Sequence, residues 1–153
     1  MKTKMIAFAI SLVFVSMALG YQNNPQMGTW KLNETKSKFT GKARNNSVVY
    51  EAAGDQTKVT VDGVDENGSA VHNEWTGKFD GKDYPVTGDS NSDTRSYRMI
   101  NKNTLALTNR KAGKVTLTGR IVVSRDGKTR TVTTTARNAQ GKKVTNVAVY
   151  DKQ

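Results

Sequence analysis

The feature that most restricts what this chain can fold into is an alternation of apolar and polar residues, broken at short intervals by turn-forming pairs. In Val71-His72-Asn73-Glu74-Trp75-Thr76-Gly77-Lys78-Phe79 the odd positions hold Val71, Trp75 and Phe79, and the even ones hold His72, Glu74, Thr76 and Lys78. Successive side chains of a strand point to opposite faces, so the segment has one face for a core and one for water. Trp30 and Leu32, Val59 and Val61, Leu105 and Leu107, and Val115, Leu117, Ile121 and Val123 repeat the pattern against polar neighbours. Gly54-Asp55, Asn67-Gly68, Asp80-Gly81, Asn101-Lys102-Asn103, Ala112-Gly113, Asp126-Gly127 and Gln140-Gly141 separate the runs. Gly and Asn accept the positive φ that tight hairpins need.

The pattern predicts strands over 27–33, 46–53, 56–63, 69–79, 82–87, 94–100, 103–111, 114–124, 128–137 and 142–150. An antiparallel meander of about eight to ten strands leaves two edges free to aggregate unless it closes, so the expected fold is all-β, an up-and-down barrel. A sandwich would need long crossovers that the short turns do not supply. The one longer link, 34–44, is expected to hold a helical turn or a lid whose Phe39 caps a barrel end. An outer-membrane barrel needs an apolar outward band. Here one face carries Lys58, Asp62, Glu74, Lys78, Lys114 and Arg120, which favours a soluble barrel.

Upstream of this domain, Met1-Lys2-Thr3-Lys4 is positive and an uncharged run extends from Met5 to Gly20. The run is short for a membrane span but suits a secretory signal, with Ala18 and Gly20 as the narrow residues before a cut at Tyr21. An uncleaved N-terminal anchor is the other reading. The expected organisation is a signal peptide over 1–20 and a barrel over 21–153, delivered to a periplasm or the medium. Two of the 24 lysines and arginines and none of the 13 acids fall in the signal, so the remainder carries 22 against 13, a net +9. There is no cysteine, hence no disulfide and no thiol to carry a lipid, so burial and sheet hydrogen bonds must hold the fold.

Gly28-Thr29-Trp30-Lys31-Leu32 resembles the G-x-W opening of lipocalins and fatty-acid-binding proteins, and Val147-Ala148-Val149-Tyr150-Asp151-Lys152 resembles the closing strand of the latter. The likeness covers the mature chain in layout but only these two stretches in residues, and it marks a bacterial secreted lipocalin-like domain. It implies a barrel whose first Trp closes one end. Two departures matter. The Arg that precedes the closing Tyr by two residues in fatty-acid-binding proteins, and grips the ligand carboxylate with it, is here Ala148. Their helical lid also has no full counterpart in 34–44.

Chemistry-bearing residues are few. His72 is the single histidine, on the wet register with Glu74, and without cysteine the usual nucleophile arrangements lack parts, so no enzyme and no catalytic residue is expected. Asp62 to Gly68 is acidic, but aligning Gly68 with the glycine of a calcium loop puts Gly63 where an acid belongs, so a hairpin turn is expected there. No metal and no cofactor is expected. The basic patches at Lys36, Lys38, Lys42 and Arg44 and at Arg110, Lys111 and Lys114 lack exposed stacking aromatics, so nucleic acid is not expected. Inside, Asn73, Arg95 and Asn109 share the apolar register with Tyr97 and Met99. Arg95 either meets an anionic head group or, the favoured reading, stands wet at the rim. Gly77 and Gly119 are expected to mark bulges or bends.

The function expected is that of a monomeric, non-enzymatic carrier holding a small hydrophobic or amphipathic ligand, with Trp30, Trp75, Arg95, Tyr97 and Tyr150 lining or closing the cavity. The alternative is a filled core whose basic exterior touches an anionic cell-envelope surface. Interior volume separates the two.

Overall fold

The computed structural model describes residues 24–153; the expected signal peptide and the cut before Tyr21 lie outside the described residues. Ten strands follow one another: β1 (Gly28–Leu32), β2 (Arg44–Ala53), β3 (Gln56–Val64), β4 (Ala70–Gly77), β5 (Tyr84–Thr87), β6 (Thr94–Asn101), β7 (Thr104–Lys111), β8 (Lys114–Val123), β9 (Thr129–Arg137) and β10 (Lys143–Lys152). Each pairs antiparallel with its sequence neighbours, and β1 closes the barrel against β10. Trp30 stands opposite Val48 on one side and Lys152 on the other, so no free edge remains.

Registers keep the apolar phase inside. Val59 faces Trp75, Val61 faces Asn73, and Leu105 faces Ile121. Trp30, Tyr50, Val59, Trp75, Tyr97, Leu105, Ile121 and Tyr150 are all buried. Each such side chain withdrawn from water stabilises by about 1.5–3 kcal/mol, which substitutes for the missing disulfides. The 34–44 link contains the expected helical turn, a 3-10 turn at Glu34–Lys36 capped by Asn33. Lys38 then forms a lone bridge to Val147, and Phe39 packs half-buried against the core.

Two bulges shift the phase. In β8 Asn109 faces Leu117 but Arg110 faces Val115, leaving Thr116 as the extra residue. Val115, expected inside, therefore points outward with Arg110 and is 54% exposed. In β2 Asn46 is the extra residue, which brings Asn45 opposite Gly63 and onto the cavity wall. Met99 is 46% exposed beside a third irregularity at Ile100, rather than sharing the interior with Arg95 and Tyr97.

The two notable glycines act through space, not bulging. The ladders run unbroken through Gly119, and Gly77 is the last paired residue of β4 with no register shift before it. A Cβ at Gly77 would lie 2.5 Å from the Tyr84 ring and 2.6 Å from that of Trp75, so the missing side chain admits two aromatics. Gly28 has φ 108° with the Lys152 side chain 3.0 Å from where a Cβ would sit, which accounts for a glycine two residues before Trp30.

The barrel ends differ. At the start of β1, Gln26 is wholly buried; its carbonyl accepts the Trp30 indole N–H at 2.9 Å and its amide donates to the Asn103 carbonyl at 3.2 Å. Toward the opposite end, inward positions of β8, β9 and β10 pass from buried (Ile121, Arg130, Tyr150) to half-buried (Leu117, Thr134, Asn146). One end is plugged, and the other is a mouth on the β8–β10 side.

Candidate functional site

Inside the barrel lies a cavity of about 100 Å³. Val48, Val61, Leu107, Leu117, Ile121 and Val132 supply its apolar wall. Tyr50, Tyr97, Tyr150, Asn45, Asn109, Thr134, Arg95 and Arg130 supply its polar groups. Of the five residues expected to line or close it, Arg95, Tyr97 and Tyr150 line it. Trp30 closes the plugged end through its bond to Gln26. Trp75 stands behind Tyr97, edge to face at 4.7 Å, with its indole N–H donating to the Arg95 carbonyl at 2.8 Å. Phe79 and Tyr84 complete the aromatic cluster around it.

Arg95 is not at a wet rim. β6 already begins at Thr94, and the pairing of Arg95 with Asn109 sends it inward, where it is 6% exposed. Its Nε donates to Asn109 Oδ1 at 3.0 Å, Nη1 to Asn73 Oδ1 at 3.2 Å, and Nη2 to Asp89 Oδ2 at 3.3 Å. Ser92 also donates to that carboxylate oxygen. Charge and hydrogen bonds are both satisfied, as a buried guanidinium requires.

Arg130 is the residue that sequence reasoning missed. It lies on β9 between Tyr150 and Val123 and is 3% exposed. Its Nη2 donates to the Tyr50 hydroxyl at 2.5 Å, and its Cζ lies 4.5 Å from the Tyr50 ring centre, 5.7 Å from that of Tyr150 and 5.9 Å from that of Trp30. Nε and Nη1 are buried with no hydrogen-bond partner, and among the described residues no carboxylate is within ion-pair reach. The signal was available: Arg130 shares its register with Val132 and Ala136, just as Arg95 shares one with Tyr97.

The tyrosines do not neutralise Arg130. Burial pushes the Tyr150 phenol up to about 12, against the smaller opposing pull of Arg130. Burial raises Tyr50 likewise, and Tyr97 adds to the rise. Both hydroxyls stay protonated at neutral pH. Arg95 is balanced by Asp89, guanidinium groups remain charged in proteins, and among the described residues the interior therefore carries one uncompensated positive charge.

The remaining candidates lie elsewhere. His72 stands exposed on the outer wall, its Nδ1 2.6 Å from Asp62 Oδ1 and its Nε2 3.7 Å from Glu74. The hydrogen bond to Asp62 is the main cause of its raised pKa. In the acidic stretch at 62–68, Asp62 to Val64 end β3 and Asp65 to Gly68 form the hairpin turn, in which Asp65 accepts from the backbone N–H groups of Asn67 and Ser69. On the link, Lys36 pairs with Asp151 and Arg44 with Glu34. No known protein family's sequence profile matches the chain, and no curated protein matches it.

Proposed function

We propose that this protein is an exported, non-enzymatic binding protein of lipocalin-like type whose barrel holds a small amphipathic monoanion, a carboxylate being the simplest case. The observation that carries this reading is Arg130, a residue of the wall of a cavity that also has an apolar side, whose fully buried guanidinium has two nitrogens without a hydrogen-bond partner. A carboxylate there would accept from the protonated hydroxyl of Tyr150 and, with a small shift of the Arg130 side chain that uncovers Nε or Nη1, from the guanidinium, while its hydrocarbon part meets Leu107, Ile121 and Val132. Charge balance favours one negative charge rather than two. Export rests on the pattern of residues 1–20, and the carrier reading needs no catalytic group.

The volume limits the ligand. Pockets for drug-sized molecules begin near about 300 Å³, whereas an apolar cavity of about 150 Å³ accepts benzene. At about 100 Å³ the site suits a short-chain or small-ring acid with its far end toward the mouth, and not a fully enclosed long-chain lipid. The same small volume favours the second reading, a filled core with a working exterior.

Calorimetric titration with butanoate, hexanoate, benzoate, decanoate and the corresponding uncharged alcohols separates the two. The expected result is binding of the acids but not the alcohols, with affinity levelling off once the chain exceeds the cavity. Equal indifference to every acid and alcohol overturns the carrier reading and leaves the filled core.

A further inference from the structure

The two hairpins beside the mouth form a basic, partly apolar edge. β8 and β9 pair as far as Leu117 with Ala136, and β10 joins β9 at Lys143 with Arg137, so the 111–114 and 137–143 turns lie side by side. Together they carry Lys111, Lys114, Arg137, Lys142 and Lys143 and no acidic residue. All five are exposed. Among the described residues none of the five is paired with a carboxylate; Arg137 donates to the Gly141 carbonyl at 2.8 Å, which leaves its charge in place. One acid from outside the two turns, Asp93, reaches the 111–114 turn, where its carboxylate accepts from the Ala112 N–H at 2.8 Å.

Val115 sits within this edge. The β8 bulge turns it outward, next to Lys114, and it is the most exposed of the large hydrophobic side chains described. Cations around an exposed apolar side chain match the interface of an anionic bilayer, where head groups meet the charges and the acyl boundary takes the valine. Nucleic acid would call for stacking aromatics, and neither turn contains one.

We infer that the β7–β8 and β9–β10 hairpins dock on an anionic lipid surface, with Lys111, Lys114, Arg137, Lys142 and Lys143 contacting the head groups and Val115 at the acyl boundary. Docking in this pose points the mouth at the bilayer. Transfer of the small acid between membrane and cavity rests on the carrier reading above; the docking itself does not.

The test is co-sedimentation of the purified protein with vesicles of phosphatidylglycerol and phosphatidylcholine, against vesicles of phosphatidylcholine alone, at low and high salt. Binding should require phosphatidylglycerol and disappear at high salt. Reversing two tip charges together, Lys114→Glu with Lys143→Glu, should weaken partition by at least about tenfold. The same net change at the plugged end, Lys102→Glu with Lys128→Glu, should have a much smaller effect. Val115→Ser should weaken partition by about threefold, with an unchanged urea midpoint. Equal losses from the two charge pairs, indifference to phosphatidylglycerol, or stronger retention on single-stranded DNA would each overturn the proposal. Titration with hexanoate in solution, run on the same variants, keeps a failed carrier reading distinguishable from failed docking.

Discussion

At the scale of single residues, two buried arginines show how differently one side chain can be used. Arg95 has an aspartate, two asparagines and no loose end; Arg130 has a phenol and three aromatic rings. Facing rings stabilise a desolvated cation by about 2 kcal/mol, but they accept no conventional hydrogen bond from Nε and Nη1. The neighbouring phenols make a titration prediction. Tyr150 rises from an ordinary 10.0 to about 12 in the fold because burial penalises its charged form. A raised pKa means the folded state holds its proton longer than the unfolded chain. The stabilising contribution is complete below about pH 10 and is lost as pH climbs toward about 12, amounting to roughly 3 kcal/mol. Tyr50 acts in the same direction. Urea midpoints followed between about pH 8 and about pH 11 should fall steeply above pH 10, and Tyr150→Phe should flatten the fall. A flat wild-type profile would mean that the tyrosines are hydrated.

At the scale of elements, the link between β5 and β6 reaches the buried Arg95 through Asp89. Asp89 reaches Arg95 while accepting from Ser92 and from the Asn91 N–H at 2.9 Å. Asp89→Ala leaves Arg95 buried without its counter-charge and should cost roughly 3–5 kcal/mol. It also raises the uncompensated interior charge from one to two. A short dicarboxylate should then recover more of the lost thermal midpoint than a monocarboxylate of equal length, a difference absent from the wild type. The strands themselves were legible in the sequence because their signal is periodic. Trp30, Val59, Trp75 and Ile121 sit where alternation puts them. The bulges were not legible: Asn46 and Thr116 differ in no chemical way from residues in regular pairing, and register is decided by partners far along the chain. This is why Val115 turned out and Asn45 turned in.

At the scale of the whole molecule, closure makes the barrel and small volume limits what it can hold. The closed fold and the inward place of Tyr97 follow from alternation read along the strands, and Tyr150 from the likeness of the closing strand, whereas Arg95, favoured for a wet rim on sequence, is turned inward by its pairing with Asn109. Cavity size does not follow, since it depends on how side chains from several strands, among them Tyr50, Tyr97, Arg130 and Tyr150, fill the space between them. Nor does the balance of charge inside, since the partner of Arg95 lies in a loop and Arg130 has none. That imbalance is the centre of the functional reading, and Arg130→Met tests it by two readouts on one variant. If Arg130 serves to receive an anion, exchanging it for an apolar side chain of similar length should leave ligand-free stability equal or higher, by up to about 4 kcal/mol. The variant should also lose the rise in thermal midpoint that a saturating small carboxylate gives the wild type. A variant several kcal/mol less stable, with a wild type whose midpoint ignores every small acid, would make Arg130 a structural clamp on Tyr50 and Trp30 and would contradict the proposal.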